Sequence, residues 1–150
     1  MTNNVTVEIY QKQIGSVMKS VTVNDARDKM MFEDIEGNVL CFYHDRDCCE
    51  SVAIEDIEGN LNDLVGSPIL VAECVTHENE NPAGVTVPEY QESFTWTFYR
   101  FATERGFVVV RWYGSSNGYY SEQVDVAFRA ANTDTWLRQD GNGGYRPAYV

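Results

Sequence analysis

Apolar and polar residues alternate along most of this chain with the period of two that a half-buried β-strand imposes. Asn4 to Tyr10 (NVTVEIY) predicts a first strand, and IGSVMKSVTV, from Ile14 to Val23, a turn followed by another. KMMFEDIEGNVLCFYH predicts a hairpin, with Met31 and Phe32 on one arm, Val39 to Tyr43 on the other and Glu36-Gly37-Asn38 as turn. ILVAECV, from Ile69 to Val75, predicts a largely apolar strand. The strongest signal comes later: SFTWTFYRFA, a turn at TERG, FVVVRWYG, a turn at SSNG, then YYSEQVDVAF. Short turns between three such runs predict an antiparallel three-strand meander.

Other segments break the alternation. The hexapeptide EDIEGN occurs at Glu33 to Asn38 and again at Glu55 to Asn60, but its flanks differ, so it is recurring turn chemistry and not a repeat. After the second copy, Asn60 is placed to cap one short helix near residues 60–66, stopped by Gly66 and Pro68. His77 to Glu92 is polar, holds two of the four prolines and predicts a mobile loop. The fold class expected is mainly β, α+β at most: a small antiparallel sheet domain over residues 1–129. Residues 130–150 are expected to be a tail, docked through Trp136 and Tyr145 on the domain or on a neighbouring subunit.

At 150 residues with 43% hydrophobic content, one domain can bury a core. No run approaches the roughly 18 apolar residues of a membrane span, and the N-terminus has no basic start, which predicts a cytoplasmic protein with no membrane partner. In that setting Cys41, Cys48, Cys49 and Cys74 are expected to stay reduced, with one of the adjacent pair buried and its neighbour facing outward. The net charge of −12 is uneven: Met31 to Glu92 carries fifteen acidic residues against Arg46 alone, whereas Ser93 to Val150 has five acidic and six basic residues. Such a field disfavours direct nucleic-acid binding.

The stretch YHDRDCCESVAIEDIEGNLNDLVGSPILVAE, with TWTFYRFAT and RWYGSSNGYYSE, resembles a family of small bacterial and phage proteins built on a domain of unknown function. The resemblance spans roughly residues 13–128. It implies a phage or prophage setting and no particular reaction.

Candidate chemistry is sparse. His44, Asp45, Asp47, Cys48, Cys49 and Glu50 are metal-ligand types within seven residues, but no second cysteine pair or spaced histidine completes a zinc set. The acidic neighbours would raise a thiol pKa, against a cysteine nucleophile. Glu55, Asp56, Glu58 and Asp63 lack the ordered spacing of a calcium loop. No phosphate-binding glycine loop and no nucleophile elbow is present, and no cofactor is expected.

The meander offers more. A three-residue loop Glu104-Arg105-Gly106 would pair Thr103 with Phe107, setting Tyr99 opposite Arg111 and Phe98 opposite Trp112. One face then carries Trp96, Phe98, Val108, Val110 and Trp112 as core, and the other Thr95, Thr97, Tyr99, Arg111 and Tyr113. A type I′ turn at Asn117-Gly118 would add Tyr120 and Glu122, with Tyr113 opposite Glu122. Thr97, Tyr99, Arg111, Tyr113, Asn117, Tyr120 and Glu122 thus become a candidate surface for stacking a base and holding a phosphate. The alternative is a plain cross-strand ion pair under a loop. A slip of one residue at either turn would exchange the faces.

The function expected is a non-catalytic phage or prophage binding protein, counter-defence in role, capturing a small nucleotide-like host signal on that face. Two alternatives stand beside it: an acidic DNA mimic contacting a host nuclease or CRISPR effector, and a metal-dependent enzyme at His44 to Glu50. A homodimer covering sheet edges is also expected.

Overall fold

A computed structural model describes residues 8–150. The expected first strand, Asn4 to Tyr10, falls mostly outside those residues, and its end is not a strand: Ile9–Gln13 is a 3₁₀ turn that buries Ile9 and Tyr10. The strands are β1 (Met18–Val23), β2 (Met30–Asp34), β3 (Val39–Tyr43), β4 (Ser51–Glu58), β5 (Val71–Glu78), β6 (Ser93–Thr103), β7 (Gly106–Ser116), β8 (Asp125–Arg129), β9 (Leu137–Gln139) and β10 (Tyr145–Pro147). They form two antiparallel sheets, ordered β1-β2-β3-β8-β9-β10 and β4-β7-β6-β5. The fold is mainly β, and no helix among the described residues is long and apolar enough to cross a membrane.

The alternation in sequence builds the core between the sheets. From the first sheet come Met18, Met30, Phe32, Leu40 and Phe42; from the second come Ile54, Tyr99, Phe101, Val108, Val110 and Trp112. Aromatic rings bridge the layers, Phe42 to Tyr99 and Phe32 to Phe101, each pair with centroids 4.7 Å apart. A fully buried side chain of this kind contributes about 1.5–3 kcal/mol by leaving water. Strand β3 is buried at all five positions because both of its faces are covered. Leu40 and Phe42 face the second sheet, whereas Cys41 and Tyr43 pack with Ala127 under Trp136, Ala148 and Val150. Residues 137–139 and 145–147 extend the first sheet as β9 and β10.

The expected hairpin of β2 and β3 forms, with the Asp34 carboxylate accepting from the N–H groups of Glu36 and Asn38 in its turn. The short helix expected near residues 60–66 is a 3₁₀ turn, Leu61–Leu64, capped by Asn60 Oδ1 accepting from the Asn62 N–H at 2.9 Å.

The three-strand meander does not form. Strands β6 and β7 make the expected hairpin, but the second neighbour of β7 is β4. Strand β8 crosses to the first sheet and pairs with β3, setting Ala127 opposite Cys41. At the expected Asn117-Gly118 hairpin turn, side chains take the backbone donors that a ladder would use: Ser116 Oγ accepts from the Gly118 N–H and Asn117 Oδ1 from the Tyr119 N–H. The chain then runs as a crossover, residues 117–124, between the sheets.

The register of the β6–β7 hairpin is also shifted by one residue. Its loop is the two-residue Glu104-Arg105, with Thr103 opposite Gly106, so Tyr99 faces Val110, Phe98 faces Arg111 and Thr97 faces Trp112. Arg105 fixes this loop by donating from Nη1 to the Val65 carbonyl at 2.9 Å. Because side chains alternate with period two, the slip exchanges the faces of β6 relative to β7.

Candidate functional site

The slip sends Ser93, Thr95, Thr97, Tyr99 and Phe101 of β6 inward, and Phe94, Trp96 and Phe98 outward. Trp96 and Phe98, expected in the central core, lie instead on the outer face with Arg111 and Tyr113. Trp96 is nonetheless fully buried, because the 79–92 segment folds back over it. Asn81 Oδ1 accepts from the Trp96 indole at 3.0 Å, the amides of Asn81 and Gln91 pair with each other, and Gln91 donates to the Tyr113 hydroxyl at 2.8 Å. The Trp96 and Tyr113 rings sit 4.5 Å apart. The second face is covered at this end by the protein's own loop.

Arg111 is not free either. A β-bulge between Ile54 and Asp56 turns Glu55 toward it, the guanidinium Nε donates to Glu55 at 2.5 Å, and Asp56 lies 3.8 Å away. The Arg111 guanidinium also lies over the Trp96 ring at 5.7 Å.

The inward hydroxyls line an open cleft of about 540 Å³. Its floor combines Thr95, Thr97 and Tyr99 of β6 with Glu78, Thr76 and Cys74, their partners on edge strand β5. Its roof is the crossover, from Tyr120 to Val124. Glu122 ties the two together by accepting from the Thr95 hydroxyl at 2.8 Å and the Ser116 hydroxyl at 2.5 Å. Close approach of the roof depends on Gly114, where an added Cβ would lie 2.5 Å from the Glu122 carbonyl oxygen. A neighbouring recess of about 350 Å³ shares Cys74, Thr76, Tyr99, Gln123 and Val124 and adds Asp125 and Arg138. Burial, reinforced by Cys74, holds the Tyr99 phenol well above its ordinary range, so it stays protonated. Burial likewise raises the Cys74 thiol, which the bond from Tyr99 only partly offsets.

The seven expected ligand-binding residues are thus split between two faces. Thr97, Tyr99, Tyr120 and Glu122 share the cleft. Arg111 and Tyr113 lie on the far face of the sheet, and Asn117 shapes the bend at the start of the crossover. Glu78, Thr76 and Ser121 were not expected in a site. The signal that marks the floor is the spaced triplet Ser93-x-Thr95-x-Thr97, hydroxyls at three successive inward positions where a core strand would carry apolar residues.

The region from His44 to Glu50 forms a separate knot around the buried Glu50 carboxylate, with residues 45–49 exposed. Both ring nitrogens of His44 meet oxygen, Nε2 at 3.1 Å from Glu50 and Nδ1 at 2.7 Å from the Gln123 carbonyl. Burial opposes ionisation of Glu50, but the N–H groups of Cys48, Glu50 itself and Asp47, with the His44 ring, hold its pKa down at about 2. Asp45 instead pairs with Arg138 at 3.7 Å. The expectation of four free thiols is corrected here: Cys48 and Cys49 are joined by a disulfide, and only Cys41 and Cys74 are free. These adjacent residues occupy a bend rather than a strand, so their side chains do not alternate, and both are exposed where one was expected in the core. No group of three or more His, Cys, Asp or Glu side chains among the described residues is arranged to hold a metal ion.

A family model described as Domain of unknown function (DUF7448) matches residues 8–126. Neither the curated proteins nor the solved structures gave a match.

Proposed function

The chain belongs to the DUF7448 family, a domain of unknown function, and on that premise we propose that it is a non-catalytic binding protein that takes a small polar molecule into the cleft between β5, β6 and the crossover. One observation carries this reading: β6 turns Thr95 and Thr97 toward the interior of the sandwich while Trp96 faces out. Turning hydroxyls toward a core forgoes apolar burial and requires partners for each polar group. An open cleft at that place offsets the loss if a ligand supplies those partners.

The non-catalytic part rests on the two histidines. His44 is engaged by Glu50 and Gln123, and His77 packs edge-on against the Phe98 ring at 5.9 Å. Neither lines the cleft. A phosphate-bearing ligand, as expected for a nucleotide-like signal, would have to bind there without Arg111. In the phage setting that the sequence resemblance implies, capture of a small host molecule would serve counter-defence.

The test is native mass spectrometry of the protein purified from a host lysate, with Thr97→Val beside it. A retained small molecule that is lost from Thr97→Val supports the reading. A wild-type protein with no adduct, and no thermal shift across a metabolite panel, counts against it.

A further inference from the structure

We propose that the cleft selects an organic cation: a small amine whose body carries an aromatic ring or hydroxyls. The inference rests on the cleft being the binding site. Among the described residues, two carboxylates, Glu78 and Glu122, line it, and no lysine, arginine or histidine does. Glu78 is exposed and has no ion-pair partner among the described residues. Glu122 receives two hydroxyl hydrogen bonds and, among the described residues, no cation, so its described partners are neutral groups. Arg138, in the adjoining recess, is already matched by Asp125 at 2.8 Å.

Three features converge on a cation. The field of the cleft is negative, and the chain's net charge of −12 adds to it, so a phosphate or carboxylate ligand is repelled on approach. Tyr120 offers an aromatic ring with no ring partner among the described residues, and an ammonium over such a face gains about 0.5–2 kcal/mol. Thr76, Thr97 and Ser121 supply hydroxyls that can accept from an ammonium or bond a ligand hydroxyl.

Isothermal titration with three compounds of one skeleton isolates charge: tyramine (ammonium), tyrosol (hydroxyl) and 4-hydroxyphenylacetate (carboxylate). Tyramine is expected to bind roughly tenfold tighter than tyrosol, the scale of two partly screened carboxylates, with the carboxylate compound undetected. Glu78→Gln and Glu122→Gln should each shrink the tyramine preference several-fold while tyrosol binding persists. Equal or tighter binding of the carboxylate compound would overturn the cation inference and leave the cleft reading standing. Binding of none of the three would also overturn it, and the lysate measurement then decides the cleft reading by itself.

Discussion

Arg111 and Glu55 form an ion pair across the β4–β7 rung, on the face of the second sheet turned away from the cleft. The bulge at Glu55 makes the contact possible, since it lets two successive residues of β4, Glu55 and Asp56, approach one guanidinium. The side chains are partly exposed, so the pair contributes on the order of 1 kcal/mol, together with the contact to Trp96. Arg111→Ala is therefore expected to lower unfolding free energy by about 1 kcal/mol in urea and to leave ligand affinity in the cleft within about twofold. A loss of binding without loss of stability would place the ligand on the outer face.

Gly114 is kept free of a side chain by the crossover above it. Gly114→Ala must displace the Glu122 backbone, and it also crowds Val52, whose Cγ2 would lie 3.2 Å from the new Cβ. Overpacking of this kind costs about 1–3 kcal/mol. Melting should show that loss, and hydrogen exchange should show faster exchange concentrated in residues 119–124.

Glu50 gives the protein a defined acid response. Its folded pKa of about 2 lies below the ordinary 4.5, so the folded state binds fewer protons than the unfolded chain between those values. The stability it supplies is complete above pH 4.5 and is lost as the pH falls toward 2. The gap in melting temperature between wild type and Glu50→Gln is expected to be widest above pH 4.5 and to close on acidification. A gap that stays constant down to pH 2 would show that the carboxylate is not held by these donors.

The C-terminal segment shields Cys41. Burial leaves this thiol inaccessible and pushes its pKa up to about 12. Trp136, half-buried and stacked with the Arg129 guanidinium at 5.0 Å, is part of the cover. Removal of residues 136–150 should make Cys41 alkylatable by iodoacetamide in the folded protein, read by peptide mass spectrometry with Cys74 as internal reference. Trp136→Ala should cost about 2 kcal/mol, less than a fully buried tryptophan.

Much of the fold was legible in alternation. The β2–β3 hairpin, the Asn60 cap and the β6–β7 pairing follow from period and turn chemistry. What alternation could not supply was the register at Glu104-Arg105, because a two-residue loop and a three-residue loop share the same residues and differ only in whether Gly106 pairs. That single step moved Trp96 out of the core and Thr97 and Tyr99 into it. The crossover was hidden for another reason: Asn117-Gly118 is a strong hairpin signal, but Ser116 Oγ and Asn117 Oδ1 take the turn's backbone donors, and β8 pairs with β3 in the other sheet. The cleft exists because of both events, and it gathers Thr97, Tyr99, Tyr120 and Glu122 on a face separate from Arg111 and Tyr113.

The most direct test is amide chemical-shift mapping by NMR during titration with tyramine. Binding in the cleft predicts shifts centred on Thr76, Thr97 and Tyr120 to Val124, with Trp96, Arg111 and Tyr113 little changed. Shifts centred on Trp96, Arg111 and Tyr113, with the crossover silent, would contradict it.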